Sequence, residues 1–177
     1  MNRTFRFIAS AITLTILVDT TPAAAWEFKD FMNPQGDRGT GIVQPALNND
    51  GVMLAFGCDR DRWRQVAILP QGEKPLRLAS DGKVSIGFTP DSFTPDGKWK
   101  VRAAGRDRAY FAPAPTPFME RLYREEKRDA KTILYVKLRP AKKSPIVLQF
   151  PVAGLRKALA DHLWKDCKLD IYFGPPE

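Results

Sequence analysis

Alternating apolar and polar positions run through most of the chain, and they predict short β-strands. Val52, Leu54 and Phe56 alternate with less apolar neighbours directly after the turn signal Asn-Asp-Gly at 49–51. Further strands are predicted at 66–69, 84–88, 99–103, 108–111, 132–138, 146–150 and 169–173. Pro-Asp-Gly at 95–97 predicts a turn into the strand at 99–103. Residues 26–48 alternate poorly, and we expect them to be partly irregular.

Two segments late in the chain carry a helical pattern instead. Thr116 suits an N-cap and Pro117 the first position of a helix. Leu155, Leu159 and Leu163 recur every four residues in the second segment. Many short strands with two helices inserted late favour a mainly β (α+β) fold. We expect an antiparallel β-sandwich, or a strongly curved sheet, with two short helices packed at one edge.

The first 25 residues have the composition of an export signal. Two arginines precede a short apolar run, and Ala-Ala-Ala at 23–25 follows Pro22. We therefore expect cleavage after Ala25, which leaves residues 26–177 as a single β-rich domain in the periplasm or secreted. The apolar run is short for a membrane span, and no transmembrane segment is expected in the mature chain.

The chain has two cysteines, Cys58 and Cys167. Exported proteins fold in an oxidising compartment, where a pair of cysteines normally forms a disulfide. We therefore predict a Cys58–Cys167 disulfide that ties an early strand to the C-terminal segment. A redox pair or a metal site would need closer spacing or additional ligands.

The chain is basic, with a formal net charge of +8. Nucleic acid is scarce outside the cytoplasm and is not expected as a partner. Anionic envelope glycans, acidic lipid head groups or acidic proteins are the predicted partners. The alternative is that the positive charge only keeps the protein soluble.

The most concrete candidate surface is a hairpin predicted at 98–111. Strand alternation would turn Trp99, Val101, Ala103, Ala109 and Phe111 towards the core. The opposite side would then carry the candidate anion-binding residues Lys98, Lys100, Arg102, Arg106, Arg108 and Tyr110. The alternative is a solvated edge whose cations prevent strand-to-strand association.

Catalytic chemistry finds little support in the sequence. His162 is the single histidine, and we expect it at the surface, without a nucleophile or further metal ligands beside it. No catalytic residue, metal or cofactor is predicted, and the expected function is non-enzymatic binding. The alternative is an envelope glycan hydrolase in which Asp59 and Asp61, on one side of a strand, supply paired carboxylates.

Several short motifs, each present once, follow one another between residues 50 and 167. They are Leu-Ala-Phe-Gly-Cys-Asp at 54–59, Trp99 at the head of a basic strand, Ala-Tyr-Phe-Ala-Pro at 109–113, Gly154-Leu155 after Phe150, and Cys167 after a helix. In these features the chain resembles the VasI/TagO-type periplasmic proteins associated with type VI secretion, and related proteobacterial envelope proteins of unknown function. The resemblance implies a disulfide-stapled, β-rich accessory protein without enzymatic activity.

Overall fold

The structure is a computed structural model that describes residues 26–32, 38–59, 64–104, 107–114, 117–129 and 131–169. Several sequence predictions fall outside this part of the chain. They are the export signal at 1–25, the residues Asp61, Arg106 and Thr116, residues 170–173 of the strand predicted at 169–173, and the side chains of Asp59 and Lys98.

In the described part of the chain, ten strands form two antiparallel sheets. They are β1 (Glu27–Met32), β2 (Arg38–Ala46), β3 (Asn49–Asp59), β4 (Arg64–Pro70), β5 (Lys83–Thr89), β6 (Ser92–Lys98), β7 (Lys100–Ala104), β8 (Asp107–Ala114), β9 (Ile133–Leu138) and β10 (Ile146–Pro151). One sheet has the order β1-β2-β3-β4-β8-β7, and the other has the order β10-β9-β5-β6. The predicted mainly β fold class is confirmed.

The two sheets share one hydrophobic core. Phe56 and Ile68 from the six-stranded sheet and Val136 and Phe150 from the four-stranded sheet belong to one cluster of buried residues. Their side chains are at most 1% exposed. Complete burial of a side chain of this size contributes roughly 1.5–3 kcal/mol, so this cluster is the main source of stability.

Strand β3 follows the predicted alternation. In the segment 26–48, expected to be partly irregular, the described residues form β1, β2 and a turn at 47–48, and residues 33–37 lie outside the described part of the chain. Glu27 lies opposite Val43, and β2 pairs in turn with β3. Ile42 and Val43 are both buried, although neighbouring residues of a strand point to opposite faces. Val43 belongs to a second, smaller apolar cluster on the outer face of this sheet, away from the shared core. Burial on both faces removes the period-two signal from β2.

The turn predicted at 95–97 is also misplaced. These residues lie within β6, which pairs with β5, and the turn between the two strands is at Pro90 and Asp91. Pro95 is tolerated because β6 is an edge strand and its proline need not donate to a neighbour on both sides.

Two helical segments lie late in the described part of the chain, as predicted, one between β8 and β9 and the other after β10. Helix α1 spans Pro117–Arg128, and α2 spans Leu155–Ala158 and continues as a π-helix over Leu159–Leu163. The side chains of Leu155, Leu159 and Leu163 are each 1% exposed and join the shared core. Residues 164–169 form turns, so Leu169 does not begin a strand.

A carboxylate of α1 holds the start of α2. Glu126 Oε2 accepts a hydrogen bond of 2.7 Å from the backbone N–H of Arg156. The guanidinium of Arg156 lies 4.8 Å from the centre of the Tyr123 ring, also in α1. Burial raises the pKa of Glu126, and the hydrogen bonds from the N-terminal N–H groups of α2 oppose that rise. These contacts fix the two helices to each other.

The predicted disulfide is confirmed. Cys58 in β3 and Cys167 after the π-helix are bonded, with their Cα atoms 5.6 Å apart. Both cysteines are buried within the shared core. The bond suggests an oxidising, extracytoplasmic compartment. Among the described residues, no helix combines the length and the apolar character that crossing a membrane requires.

Candidate functional site

The hairpin formed by β7 and β8 exists, but its side chains are distributed differently from the prediction. Lys100 lies opposite Phe111 and Arg102 opposite Ala109. Directly opposed residues of antiparallel strands share a face, so Lys100 and Arg102 lie on the outer face. Phe111 lies there too, because it packs on the small apolar cluster of that face. The prediction that Ala109 and Phe111 face the shared core is therefore wrong.

Tyr110 is not part of an exposed binding surface. It lies opposite Val101, and its side chain is 0% exposed within the shared core. Its hydroxyl donates a hydrogen bond of 2.8 Å to the carbonyl oxygen of Ala79. Burial, together with the negative charge of Asp81, raises the pKa of Tyr110 to about 12. The prediction placed Tyr110 on the wrong face because the register of β8 differs by one residue from the one assumed.

The cations of the hairpin consequently fall into two groups. Lys100 is exposed on the outer face, and Arg102 is half-buried with its guanidinium 5.4 Å from the centre of the Phe111 ring. Arg108 is exposed and belongs to the same side of β8 as Tyr110, at the end of the strand. The single basic face predicted for the hairpin is therefore not formed by Lys100, Arg102 and Arg108.

Arg108 instead joins cations from other parts of the chain. Three adjoining cavities of about 570, 780 and 800 Å³ meet around Ala141, in the loop 139–145 between β9 and β10. We call them together the basic cleft. Its charged lining residues within the described chain are the cations Lys74, Arg77, Arg102, Arg108, Arg139, Lys142 and Lys143 and the acids Asp50, Glu73 and Asp107.

Backbone hydrogen bonds hold the walls of the cleft together. The N–H of Ala141 donates to the carbonyl of Arg77 at 2.7 Å, and the N–H of Ala79 donates to the carbonyl of Arg139 at 3.1 Å. Leu78 and Pro140 form an isolated β-bridge between these contacts. The Tyr110 hydroxyl binds the same segment from the core side. Tyr110 therefore supports a wall of the cleft and does not line it.

The cleft carries positive charge that its own carboxylates do not neutralise. Arg139 Nη2 lies 2.7 Å from Asp81 Oδ2, and Arg77 Nε lies 3.9 Å from Asp107 Oδ1. Within the described residues, Arg108, Lys142 and Lys143 have no carboxylate at salt-bridge distance. Such a concentration of cations attracts anions.

Asp81 stays ionised beside this positive charge. Burial raises its pKa, but the N–H of Lys83 and the guanidinium of Arg139 outweigh that effect and hold the pKa below the usual 3.8. The ionised carboxylate keeps the Arg139 guanidinium in place at the mouth of the cleft, where this side chain is 55% exposed.

Sequence reasoning missed the loop 139–145, which contributes three of these cations. Its sequence, Arg-Pro-Ala-Lys-Lys-Ser-Pro, was interpretable only as a polar connection between two strands. The available signal was a pair of lysines between two prolines, directly after Arg139. What the sequence could not supply was its position beside Arg108, which depends on the packing of the two sheets.

The structure leaves the proposed acid pair untested. Asp59 ends β3, and its side chain and the whole of Asp61 lie outside the described residues. His162 is exposed, and its ring stacks on Phe28 with centres 4.9 Å apart. In the described part of the chain, no group of three or more His, Cys, Asp and Glu residues is placed to hold a metal ion.

Comparison with known proteins adds no assignment. No family model, no curated protein and no solved structure matches the chain. The resemblance to secretion-associated periplasmic proteins therefore stays a hypothesis.

Proposed function

We propose that the protein is an exported, non-enzymatic binding protein of the cell envelope that recognises an anionic partner through the basic cleft. The supporting observation is that, among the described residues, seven cations and three acids line cavities that share Ala141. These cations come from the segment before β5, the β7–β8 hairpin and the loop 139–145. Cations whose only role is to protect a sheet edge would not need to come together from three segments of the chain.

The β7–β8 hairpin contributes individual residues to the basic cleft, not the whole basic face that the sequence predicted. Arg108 lines two of the cavities, whereas Arg102 lines one of them with its guanidinium over the Phe111 ring, and Lys100 lines none. The binding residues of the hairpin are thus a subset of the predicted ones. Lys98 and Arg106 stay candidates, because nothing in the described structure bears on their side chains.

Export is the first part of the proposal to test. The disulfide suggests an extracytoplasmic location, and the signal-like residues 1–25 predict a mature chain that begins at Trp26. N-terminal sequencing of the protein isolated from the periplasm or medium should read Trp-Glu-Phe. A chain that keeps residues 1–25 and stays with the membrane would contradict the proposed location.

Binding to a defined polyanion tests the cleft. The protein should be retained by immobilised dextran sulfate but not by neutral dextran, and retention should fall as salt rises, because the Debye length is only about 8 Å at physiological ionic strength. The double variant Arg108→Glu, Lys143→Glu should lose this retention. The matched control is Lys131→Glu, Lys165→Glu, which makes the same charge change at exposed positions outside the cleft.

Two outcomes would count against the cleft. Equal loss in both double variants would mean that retention reports net charge alone. If Lys100→Glu abolished binding to dextran sulfate while the double variant Arg108→Glu, Lys143→Glu still bound it, the binding site would lie on the outer face of the hairpin instead. With the cleft variant as control, a pull-down from envelope extract then identifies the natural partner, including any component of a secretion system.

A further inference from the structure

One of the three cavities has a purely cationic charged lining among the described residues. Arg108 from β8 lines it, together with Arg139, Lys142 and Lys143 from the loop 139–145. Two serines, Ser80 and Ser144, line it as well. The acids of the basic cleft all belong to the other two cavities. This cavity is therefore the part of the cleft best suited to an anion.

We propose that this cavity binds a dianionic phosphate group, either free or as a phosphomonoester. The proposal rests on the proposed function and names the chemistry that the cleft selects. Asp81 offsets one of the four positive charges through its salt bridge with Arg139. A carboxylate would neutralise only one of the remaining three, whereas a phosphate monoester brings a charge of about −1.5 to −2 and three acceptor oxygens.

The arginines are placed to bind more than one oxygen. The guanidinium of Arg139 is held by Asp81 at 2.7 Å through Nη2, and its side chain remains 55% exposed. A guanidinium has five N–H donors, so donors remain for a ligand after the contact with Asp81. Arg108 is exposed at the boundary of two cavities and has no salt bridge within the described residues. Arg139 is therefore a cation held in place by a salt bridge, and Arg108 is a cation without a salt bridge among the described residues.

The loop presents Lys142 in an unusual backbone conformation. Its φ is 60°, in the left-handed region where glycine is preferred. The turn around it is fixed by the hydrogen bond from the N–H of Lys143 to the carbonyl of Pro140, at 3.3 Å. A glycine at 142 would fit this backbone better, so a lysine there costs stability. A binding role for its ammonium group accounts for that cost.

Calorimetric titration with inorganic phosphate near pH 8, where the dianion predominates, tests the proposal. The wild-type protein should bind phosphate saturably, and acetate roughly tenfold more weakly or less. The substitutions Arg108→Gln and Lys143→Gln should each weaken phosphate binding severalfold. The control Lys131→Gln, at an exposed position before β9, should leave phosphate affinity unchanged.

The variant Lys142→Gly distinguishes an effect on phosphate binding from an effect on the stability of the fold. This variant should be at least as resistant to urea as the wild-type protein and yet bind phosphate more weakly. Unchanged phosphate affinity in Lys142→Gly, or equal affinity for acetate and phosphate in the wild-type protein, would overturn the proposal. If phosphate fails to bind while the polyanion test still depends on Arg108 and Lys143, the phosphate proposal fails and the proposed function stands. If both tests fail, both proposals fall.

Vesicles distinguish the source of the phosphate. Vesicles containing phosphatidic acid present a phosphomonoester, and vesicles containing phosphatidylglycerol present a phosphodiester. Preference for phosphatidic acid, with displacement by inorganic phosphate, would assign the site to a lipid head group. Binding of inorganic phosphate without vesicle binding would assign it to free phosphate or a soluble phosphomonoester. Equal binding to both vesicles without competition by phosphate would contradict a dianion site.

Discussion

The carboxamide of Asn48 forms two hydrogen bonds with the backbone around Gln149 in β10. Its Oδ1 accepts from the N–H of Gln149 at 3.0 Å, and its Nδ2 donates to the carbonyl of Val147 at 2.9 Å. The adjacent N–H of Leu47 donates to the carbonyl of Gln149 at 2.8 Å. The turn between β2 and β3 thus occupies the free edge of β10 and joins the two sheets, which protects that edge from other strands.

Replacing Asn48 should loosen this junction. Asn48→Ala removes one donor and one acceptor, and we expect the free energy of unfolding to fall by about 1–2 kcal/mol. Urea denaturation followed by tryptophan fluorescence measures the change. Asp91→Ala, at the exposed turn between β5 and β6, is the control and should stay close to the wild-type value. A similar loss in both variants would show that Asn48 has no special role.

The disulfide should contribute more to the free energy of unfolding than any other single contact between two side chains. It closes a loop with a sequence separation of 109 residues, for which the chain-entropy relation gives about 4–5 kcal/mol. Cys58→Ser and Cys58→Ser, Cys167→Ser should therefore unfold at a much lower urea concentration than the wild-type protein. Reductant should bring the wild-type protein close to the double variant and leave that variant unchanged. Equal stability with and without reductant would contradict the prediction.

The one polar residue buried in the described core is a site where stability can be gained. Gln44 is 0% exposed, and its Oε1 has no hydrogen-bond partner within the described residues. An unsatisfied buried acceptor costs roughly 1–3 kcal/mol, whereas methionine has a similar shape and no such group. Gln44→Met should therefore raise the free energy of unfolding by about 1 kcal/mol. Gln65→Met, at a half-buried position in β4, is the control and should give no comparable gain. A loss of stability in Gln44→Met would indicate that the amide is satisfied in solution.

The sequence predicts an element well where a single face of it is buried. In β3 the core side chains Val52, Leu54 and Phe56 alternate with smaller or less buried residues, so the period of two is visible. The four-residue spacing of leucines predicts the helical segment 155–163 in the same way. In β2, by contrast, Ile42 and Val43 are buried on opposite faces, and the glycines at 39 and 41 add no pattern.

The candidate site depends on information that the local pattern does not contain. Tyr110 and Phe111 are adjacent aromatic residues, and either could face the shared core until the pairing of Lys100 with Phe111 fixes the register. The loop 139–145 lines a cavity with Arg108, and its backbone contacts with residues 77–79, including the Leu78–Pro140 bridge, hold it in that place. The net positive charge and the basic hairpin end were predictable, whereas the cleft is a product of tertiary packing.

The salt bridge between Asp81 and Arg139 should give the fold a measurable dependence on acid pH. Burial raises the pKa of Asp81, but Lys83 and Arg139 lower it below the usual 3.8, so folding favours the ionised form. The stabilisation is therefore present above pH 3.8 and is lost as pH falls through the lower pKa of the folded state.

Asp81→Asn should lower the free energy of unfolding at pH 7 by about 0.5–1 kcal/mol, because the pair is partly exposed. The difference from the wild-type protein should disappear in strong acid, below the pKa of Asp81 in the folded protein. Urea denaturation across a pH series measures both effects. Asp91→Asn, at the exposed β5–β6 turn, provides the matched control. A deficit of the Asp81→Asn variant that persists unchanged in strong acid would show that the ionised carboxylate does not stabilise this wall of the cleft.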